Sequence, residues 1–353
     1  MITDGDTGTG TDGDRRYAGG DRDATRNWVA EQLRAGERIT GAERLRGGWT
    51  ARMRRLRIEG PHGTRLLVLR SFAEPFYRRH APGLLGREAE VLRLFAGTEV
   101  PAAAFVAADP TGEHCDHPSL LMTHLPGEVR LDDAGAAART GPLARQLLAV
   151  HRLPATGAAR PRAYQPWTAP DRVRVPEGTR RPEVWRRAVD VIRRDAPAHR
   201  ACFLHRDYHP GNVLFSGDAH APRITGLVDW VETSWGPADL DVAHCSTALA
   251  LLHGPAAGLA FPDAYRAAGG VLAPDRADRL YWRLLDALAF APDAEKVAVP
   301  WRELGRTDLT PGVLSERLET YLGLLLDRLG GGDGHGGGRP GGAGPGGAAR
   351  TSG

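Results

Sequence analysis

The chain has 353 residues, with 46 basic and 43 acidic side chains and a formal net charge of +3. So small an imbalance, with no basic stripe interleaved with aromatic residues, argues against a nucleic-acid partner. Lys296 is the only lysine, so nearly all positive charge sits on guanidinium groups, which do not deprotonate, and Schiff-base or lysine general-base chemistry finds almost no residue to use.

Residues 1–22 are mostly Gly, Asp, Thr and Arg and carry too little apolar surface to offset the entropy of ordering, so a disordered N-terminal segment is expected. Ala24 to Ile39 places Trp28, Val29, Leu33 and Ile39 at helical spacing and predicts an amphipathic leading helix. A glycine turn, Gly47-Gly48-Trp49-Thr50, follows. Arg52–Ile58 and Arg65–Ser71 flank Gly60-Pro61-His62-Gly63 and predict a β-hairpin with a longer loop. Leu84–Phe95 reads as a helix carrying Glu88 and Glu90, and Val100–Ala108 and Ser119–His124 as two further strands.

Beyond Leu125-Pro126-Gly127 the pattern becomes mainly helical: Ala137–Arg152, an irregular Pro- and Arg-rich stretch over 155–180, then Pro182–Arg194. Two short strands come next. Leu240–Leu252, Pro262–Ala268, Ala277–Phe290 and Pro311–Leu329 read as helices, the last with Thr310 as N-cap and Pro311 at its first position. Residues 330–353 are Gly-rich, a disordered tail. A strand-rich region over 23–125 and a helix-rich region over 126–329 give a two-lobed α+β protein.

Cys115, Cys202 and Cys245 lie far apart and include no C-x-x-C pair, which suggests neither a disulfide framework nor a cysteine-rich zinc site. No signal-like segment opens the chain. The most apolar internal run, Ala248–Phe261, contains His253, Gly254 and Pro255 and is too short to span a bilayer. The expectation is a reduced, cytoplasmic protein without a membrane partner.

The two short strands hold the most informative residues. Phe203-Leu204-His205-Arg206-Asp207-Tyr208-His209-Pro210-Gly211-Asn212 delivers a carboxylate and, five residues later, a carboxamide. Arg223-Ile224-Thr225-Gly226-Leu227-Val228-Asp229 is a β-branched run ending in a second carboxylate. One carboxylate for a substrate hydroxyl, with an amide oxygen and a second carboxylate for Mg²⁺, is the donor set that phosphoryl transfer uses. The Asp207-to-Asn212 spacing equals that of the kinase H-R-D-x-x-x-x-N loop.

With Gly236-Pro237-x-x-x-Asp241-Val242-Ala243 added, this pattern resembles the aminoglycoside phosphotransferase, choline-kinase-like family over roughly residues 40–300. The resemblance implies a protein-kinase-like fold and transfer from ATP, with GTP the alternative, to a small-molecule alcohol. It implies Asp207 as the residue that accepts the hydroxyl proton, Asn212 and Asp229 as Mg²⁺ ligands, and His205, His209 and Asp241 as braces of the catalytic loop. Gly47 and Gly48 fall where the family covers the nucleotide, although the G-x-G-x-x-G of protein kinases is lacking. Arg70 stands where protein kinases carry a phosphate-binding lysine, with Glu88 as partner and Glu90 as runner-up. Thr123 and Leu125 would offer backbone groups to the purine.

Two other readings stay open at this stage. The arginine at position 70 admits a nucleotide-binding regulator without transferase activity. His205-x-Asp207-x-His209, with Cys202, His244 and Cys245 as recruits, admits a zinc or iron hydrolase. Trp230, Trp235, Tyr265, Tyr281 and Trp282 are expected to pack in the core rather than to line an acceptor pocket. Asp263, Asp275, Asp278, Asp286, Asp293 and Glu295 could form an acidic acceptor pocket, but interspersed arginines leave the acceptor undecided.

Overall fold

The computed structural model describes residues 23–45, 51–154 and 160–330. The two expected disordered segments, apart from Gly330, and the Gly47-Gly48 turn lie outside the described residues.

The front of the molecule is one antiparallel sheet with helices on its faces. Helix α1 (Asp23–Glu31) precedes strands β1 (Arg38–Arg44), β2 (Arg52–Gly60) and β3 (Gly63–Ser71). Helix α2 (Pro75–Leu94) then leads to β4 (Phe105–Asp109) and β5 (Ser119–Thr123), and the strand order is β1-β2-β3-β5-β4. Strand β3 is buried on both faces because alternate residues serve different cores. Leu67 and Leu69 join Trp28 and Val29 of α1, whereas Val68 joins Leu85, Ala89 and Leu92 of α2. Arg70 shares the parity of Val68, which puts a guanidinium on the α2 side of the sheet.

The helix expected to reach Ile39 ends at Glu31, and Ile39 lies in β1. Gly36, at φ +80°, turns the chain between the two in a conformation that glycine adopts readily. Hairpin β2–β3 is tighter than expected: Gly60 pairs with Gly63 across Pro61-His62 alone. The strand expected from Val100 starts at Phe105. Residues before it cross to the other lobe, where Leu227 N–H donates to Pro101 O at 2.8 Å.

The back of the molecule is helical with two small sheets. After β6 (Glu128–Val129) come α3 (Ala136–His151), α4 (Pro182–Val191), β7 (Ala201–Leu204), β8 (Val213–Ser216), β9 (Arg223–Leu227) and β10 (Ser234–Pro237). Helices α5 (Ala238–His253), α6 (Pro255–Ala267), α7 (Arg276–Leu288), α8 (Glu295–Glu303) and α9 (Pro311–Gly330) complete the fold. The sheets are β6-β8-β9 and β10-β7, antiparallel throughout.

Every residue of α5 from Asp239 to Leu252 is buried, because α6, α7 and α9 pack around it. A helix apolar on all sides is a core helix, and α5 is the axis of this lobe. Helix α6 begins seven residues before the expected Pro262, which it accommodates internally, and α8 was not anticipated. Trp230, Tyr265, Tyr281 and Trp282 are buried, as expected of core positions, whereas Trp235 is half-buried against the core that holds Trp230 and Tyr265. Among the described residues no helix is long and apolar enough to cross a membrane.

Candidate active site

The catalytic-loop candidates sit between β7 and β8. Strand β7 ends at Leu204, the loop passes through His205–His209, and a short 3₁₀ turn at Pro210–Asn212 feeds β8. Two residues here adopt left-handed backbone without being glycine: Arg206 at φ +74°, and Asp229 at φ +66° just beyond β9. Such conformations persist where surrounding bonds over-determine them. For Arg206 the cause is Asp241, whose Oδ1 accepts from Arg206 N–H and whose Oδ2 accepts from His205 N–H, both at 2.8 Å. Asp241 is fully buried on the first turn of α5, and His151 Nε2 lies 3.2 Å from its Oδ2.

Asp207 is ringed by donors. Asn212 Nδ2 donates to Asp207 Oδ2 and to its main-chain carbonyl, each at 2.9 Å. His244 Nε2 is 3.1 Å from Oδ1, and His209 Nε2 is 3.7 Å away. Burial alone would raise the pKa of Asp207, but the neighbouring imidazoles of His209 and His244 outweigh it and hold the carboxyl well below the usual range. About a third of the Asp207 side chain is open to solvent. It is an anion with one accessible side.

Arg70 and Glu88 meet as expected, with Nη1 at 3.1 and 3.2 Å from the two carboxylate oxygens, in a pair almost closed to solvent. The same Nη1 reaches Asp229 Oδ1 at 3.0 Å, a contact the sequence did not suggest. Burial works against the charged form of Arg70, but Asp229 and Glu88 prevail and raise its pKa further. One guanidinium thus faces two carboxylates, and the trio has a residual negative charge.

A cavity of about 420 Å³ opens beside this trio, lined by Val68, Arg70, Glu88, Met122, Asn212 and Asp229 among others. Thr123 and Leu125 also line it, but the Thr123 N–H is already donated to Ala104 O at 3.0 Å. Glu90 does not line it. Because Asn212 spends its amide nitrogen on Asp207, its Oδ1 remains as an uncharged oxygen donor, and Asp229 supplies a charged one. That hard-oxygen pair in a site of net negative charge fits Mg²⁺.

The transition-metal cluster does not assemble as the sequence allowed. Cys245 is fully buried and does not join the convergent group, and His205 donates Nε2–H to Val228 O at 3.1 Å. The side chains that do converge are Asp207, His209 and His244. His209 Nδ1 accepts from Gly211 N–H at 3.0 Å, so its Nε2 carries the ring proton and has no lone pair to give. Burial lowers the pKa of His209 to about 4, which keeps it neutral. His244 has a carboxylate on each nitrogen. These are donor rings, not ligands.

With that geometry in view, the sequence profile of the phosphotransferase enzyme family, abbreviated APH, matches residues 41–285. The chain belongs to this family. Among solved structures, a Ralstonia eutropha protein provisionally described as an aminoglycoside phosphotransferase superposes with a TM-score of 0.58 at 17% identity, covering 87% of this chain and 98% of its own. Aminoglycoside phosphotransferase APH(4)-Ia superposes with a TM-score of 0.55 at 16% identity, covering 88% and 99%. A thermostable mutant of it, bound to AMP-PNP and hygromycin B, gives 0.54 at 15% identity over 88% and 99%. Among curated proteins none matches significantly. At these identities the likeness is one of fold, the two-lobed protein-kinase-like α+β architecture expected of the family.

Within that fold His244, Asp286 and Thr247 are site residues that sequence reasoning passed over or placed elsewhere. His244 Nδ1 lies 3.0 Å from Asp286 Oδ1, and Thr247 Oγ1 donates to Asp286 Oδ2 at 2.7 Å. A signal existed: polar residues in the otherwise apolar α5, and on the apolar face of the amphipathic α7, must find partners when buried.

Proposed function

We propose that this family member transfers the γ-phosphoryl group of ATP, with GTP the alternative nucleotide, to a hydroxyl of a small molecule. One observation carries the reading: Asn212 and Asp229 line one cavity with the Arg70–Glu88 pair, and Asn212 Nδ2 donates to the Asp207 carboxylate at 2.9 Å, which holds Asp207 at the edge of that group. Asp207 accepts a hydrogen bond from the acceptor hydroxyl and takes its proton as the new O–P bond forms. Asn212 and Asp229 would hold Mg²⁺, which when bound offsets charge on the nucleotide phosphates. Arg70, oriented by Glu88, neutralises phosphate charge, and Leu125 N–H with the Thr123 carbonyl addresses the purine edge. Gly47 and Gly48 would cover the nucleotide. His205 and His209 brace the loop through their bonds to Val228 O and Gly211 N–H, and Asp241 fixes its backbone. Catalysis of this kind relies on positioning, since the transition state is loose. Three free thiols support a reducing, cytoplasmic setting.

The acceptor side favours a molecule without a cluster of ammonium groups. Asp263, Asp278 and Glu295 are paired with Arg266, Arg194 and Arg302, and Asp286 is buried. Around His244 stand Trp167 and Phe290, with ring centroids 5.0 and 5.6 Å away, and Arg206 lies over Trp167. His244, Phe290 and Arg206 are buried and Trp167 is the exposed member, so the group offers an aromatic face, which suits an uncharged hydroxy compound better than a polycation.

Calorimetry of ATP with and without Mg²⁺, on the wild type and Asp229→Ala, tests the nucleotide site. Mg²⁺-dependent binding that collapses in the variant is expected; absence of binding in both proteins refutes the reading. Binding without transfer to any acceptor alcohol would instead make the protein a silent regulator, and tightly bound zinc would return the hydrolase.

A further inference from the structure

Asp207 ends a buried chain of charge that the proposed transfer does not by itself require. Thr247 Oγ1 donates to Asp286 Oδ2 at 2.7 Å, Asp286 Oδ1 meets His244 Nδ1 at 3.0 Å, and His244 Nε2 meets Asp207 Oδ1 at 3.1 Å. His244 and Asp286 are 3% and 4% exposed. An imidazole can donate from both nitrogens only as the imidazolium. A carboxylate on each side therefore calls for the charged ring.

We propose that His244 is a positioning residue for the phosphoryl-transfer step: locked between Asp286 and Asp207, it fixes the Asp207 carboxylate in one rotamer with its second oxygen on Asn212. The proposal rests on the reading of Asp207 as the acceptor-facing base. Stability alone is a poor reason for such a chain, because burying an ion pair costs desolvation that an apolar side chain avoids. Position 244 lies on a helix buried on all sides, where an apolar residue would fill the space. A charged ring there contributes aim and electrostatics to Asp207.

The charge state follows from what faces the ring. Asp207 and His209 approach from the catalytic loop and Asp286 from α7, the Lys296 ammonium of α8 acts on those two carboxylates, and Trp167 and Phe290 add uncharged rings. Burial pushes the pKa of His244 down, but Asp286 and Asp207 outweigh it and raise it to about 9. At neutral pH the ring is charged. As pH rises through about 9 it loses the proton, and one of its two carboxylates loses a donor.

The test uses the full chain, with histidine-ring ¹⁵N NMR and phosphate release from Mg²⁺-ATP with water as the acceptor. In the wild type both His244 nitrogens should show protonated shifts at pH 7, with titration near pH 9 that moves lower in Asp286→Asn. His244→Phe should lower turnover about 10- to 100-fold with ATP affinity unchanged. His244→Gln, which can still donate to Asp207, should recover part of the loss without the alkaline limb of the pH profile. A His244 that is neutral at pH 7 overturns the proposal, whether or not any variant folds. So does a His244→Phe enzyme with wild-type turnover and pH profile beside an inactive Asp207→Asn. Full turnover in Asp207→Asn would instead remove the base reading on which the proposal stands.

Discussion

The two halves of the site hold buried charge in the same ratio but complete it differently. On the nucleotide side one guanidinium, Arg70, is shared by Glu88 and Asp229. On the acceptor side one imidazolium, His244, is shared by Asp207 and Asp286. There uncharged donors add to it: the Asn212 amide on Asp207, the Thr247 hydroxyl on Asp286, and two loop N–H groups on the neighbouring Asp241. Asp229 instead lines the cavity, where a cation would complete it. A carboxylate open to a cavity can take a ligand, and a carboxylate enclosed by donors holds geometry.

That contrast breaks most sharply at Asp207. Asp207→Ala should lower turnover about 10²- to 10⁴-fold while leaving ATP affinity intact, since Asn212, which loses its bond to the carboxylate, keeps its bond to the main-chain carbonyl of residue 207. Steady-state rates with a proven acceptor, beside calorimetry of ATP, check both halves. Wild-type turnover would remove Asp207 from its role.

Next in size is Arg70. Arg70→Lys keeps the charge but replaces a planar guanidinium, whose Nη1 reaches both carboxylates, with a compact ammonium on a differently shaped stem. We expect ATP affinity to fall about tenfold or more, about 1.4 kcal/mol, and melting to drop as Glu88 loses bonds while fully buried. If Arg70→Lys bound ATP as tightly as the wild type, shared contact with Glu88 and Asp229 would not be what shapes the phosphate site.

Asp241→Asn should act on the fold before the chemistry. The amide can satisfy only part of the demand of two loop N–H groups and His151, and the left-handed Arg206 loses its restraint. A loss of about 2–4 kcal/mol in a chain of this size lowers Tm by several degrees. A calorimetric scan shows this directly, and an unchanged Tm would mean the loop holds itself.

The pH dependence of stability sharpens the comparison further. His244 has a folded pKa of about 9, above its ordinary 6.5, so the stability it contributes is full below 6.5 and is lost as pH rises through 9. Denaturant midpoints from pH 6 to pH 10 should fall across that window in the wild type and stay flatter in His244→Phe. On the other side, Glu88 is pushed up by burial against the pull of Arg70, so its contribution too is full at acid pH and falls as pH rises above the ordinary carboxylate range.

How much of this was readable beforehand depended on where the information lay. The loop from His205 to Asn212, Asp229 and the Arg70–Glu88 partnership were legible because their chemistry is carried by residue types at short spacing or on one strand and its neighbouring helix. Strand β1, Arg-Ile-Thr-Gly-Ala-Glu-Arg, was missed because an edge strand with a central glycine has no apolar alternation to read. The link from His244 to Asp286 spans two helices and 42 positions, so only packing reveals it. The sharing of Arg70 between two carboxylates escaped notice because Asp229 lies 159 residues away. Local chemistry is written locally; charge compensation is not.

The smallest effect lies at the end of the acceptor-side network. Tyr265 OH is 2.6 Å from His151 Nδ1, and His151 carries the chain on to Asp241. With Nε2–H directed at Asp241, Nδ1 accepts from the phenol, and Tyr265→Phe leaves a buried acceptor without its donor. The cost is about 1–3 kcal/mol, read as a modest fall in Tm. Turnover should stay within about twofold, because Asp241 keeps both loop amides and Asp207 keeps His244 and Asn212. A large loss of rate with little change in Tm would mean that Asp241 passes the orientation of its far partners on to Asp207, and that the acceptor side works as one cooperative unit rather than as separately satisfied groups.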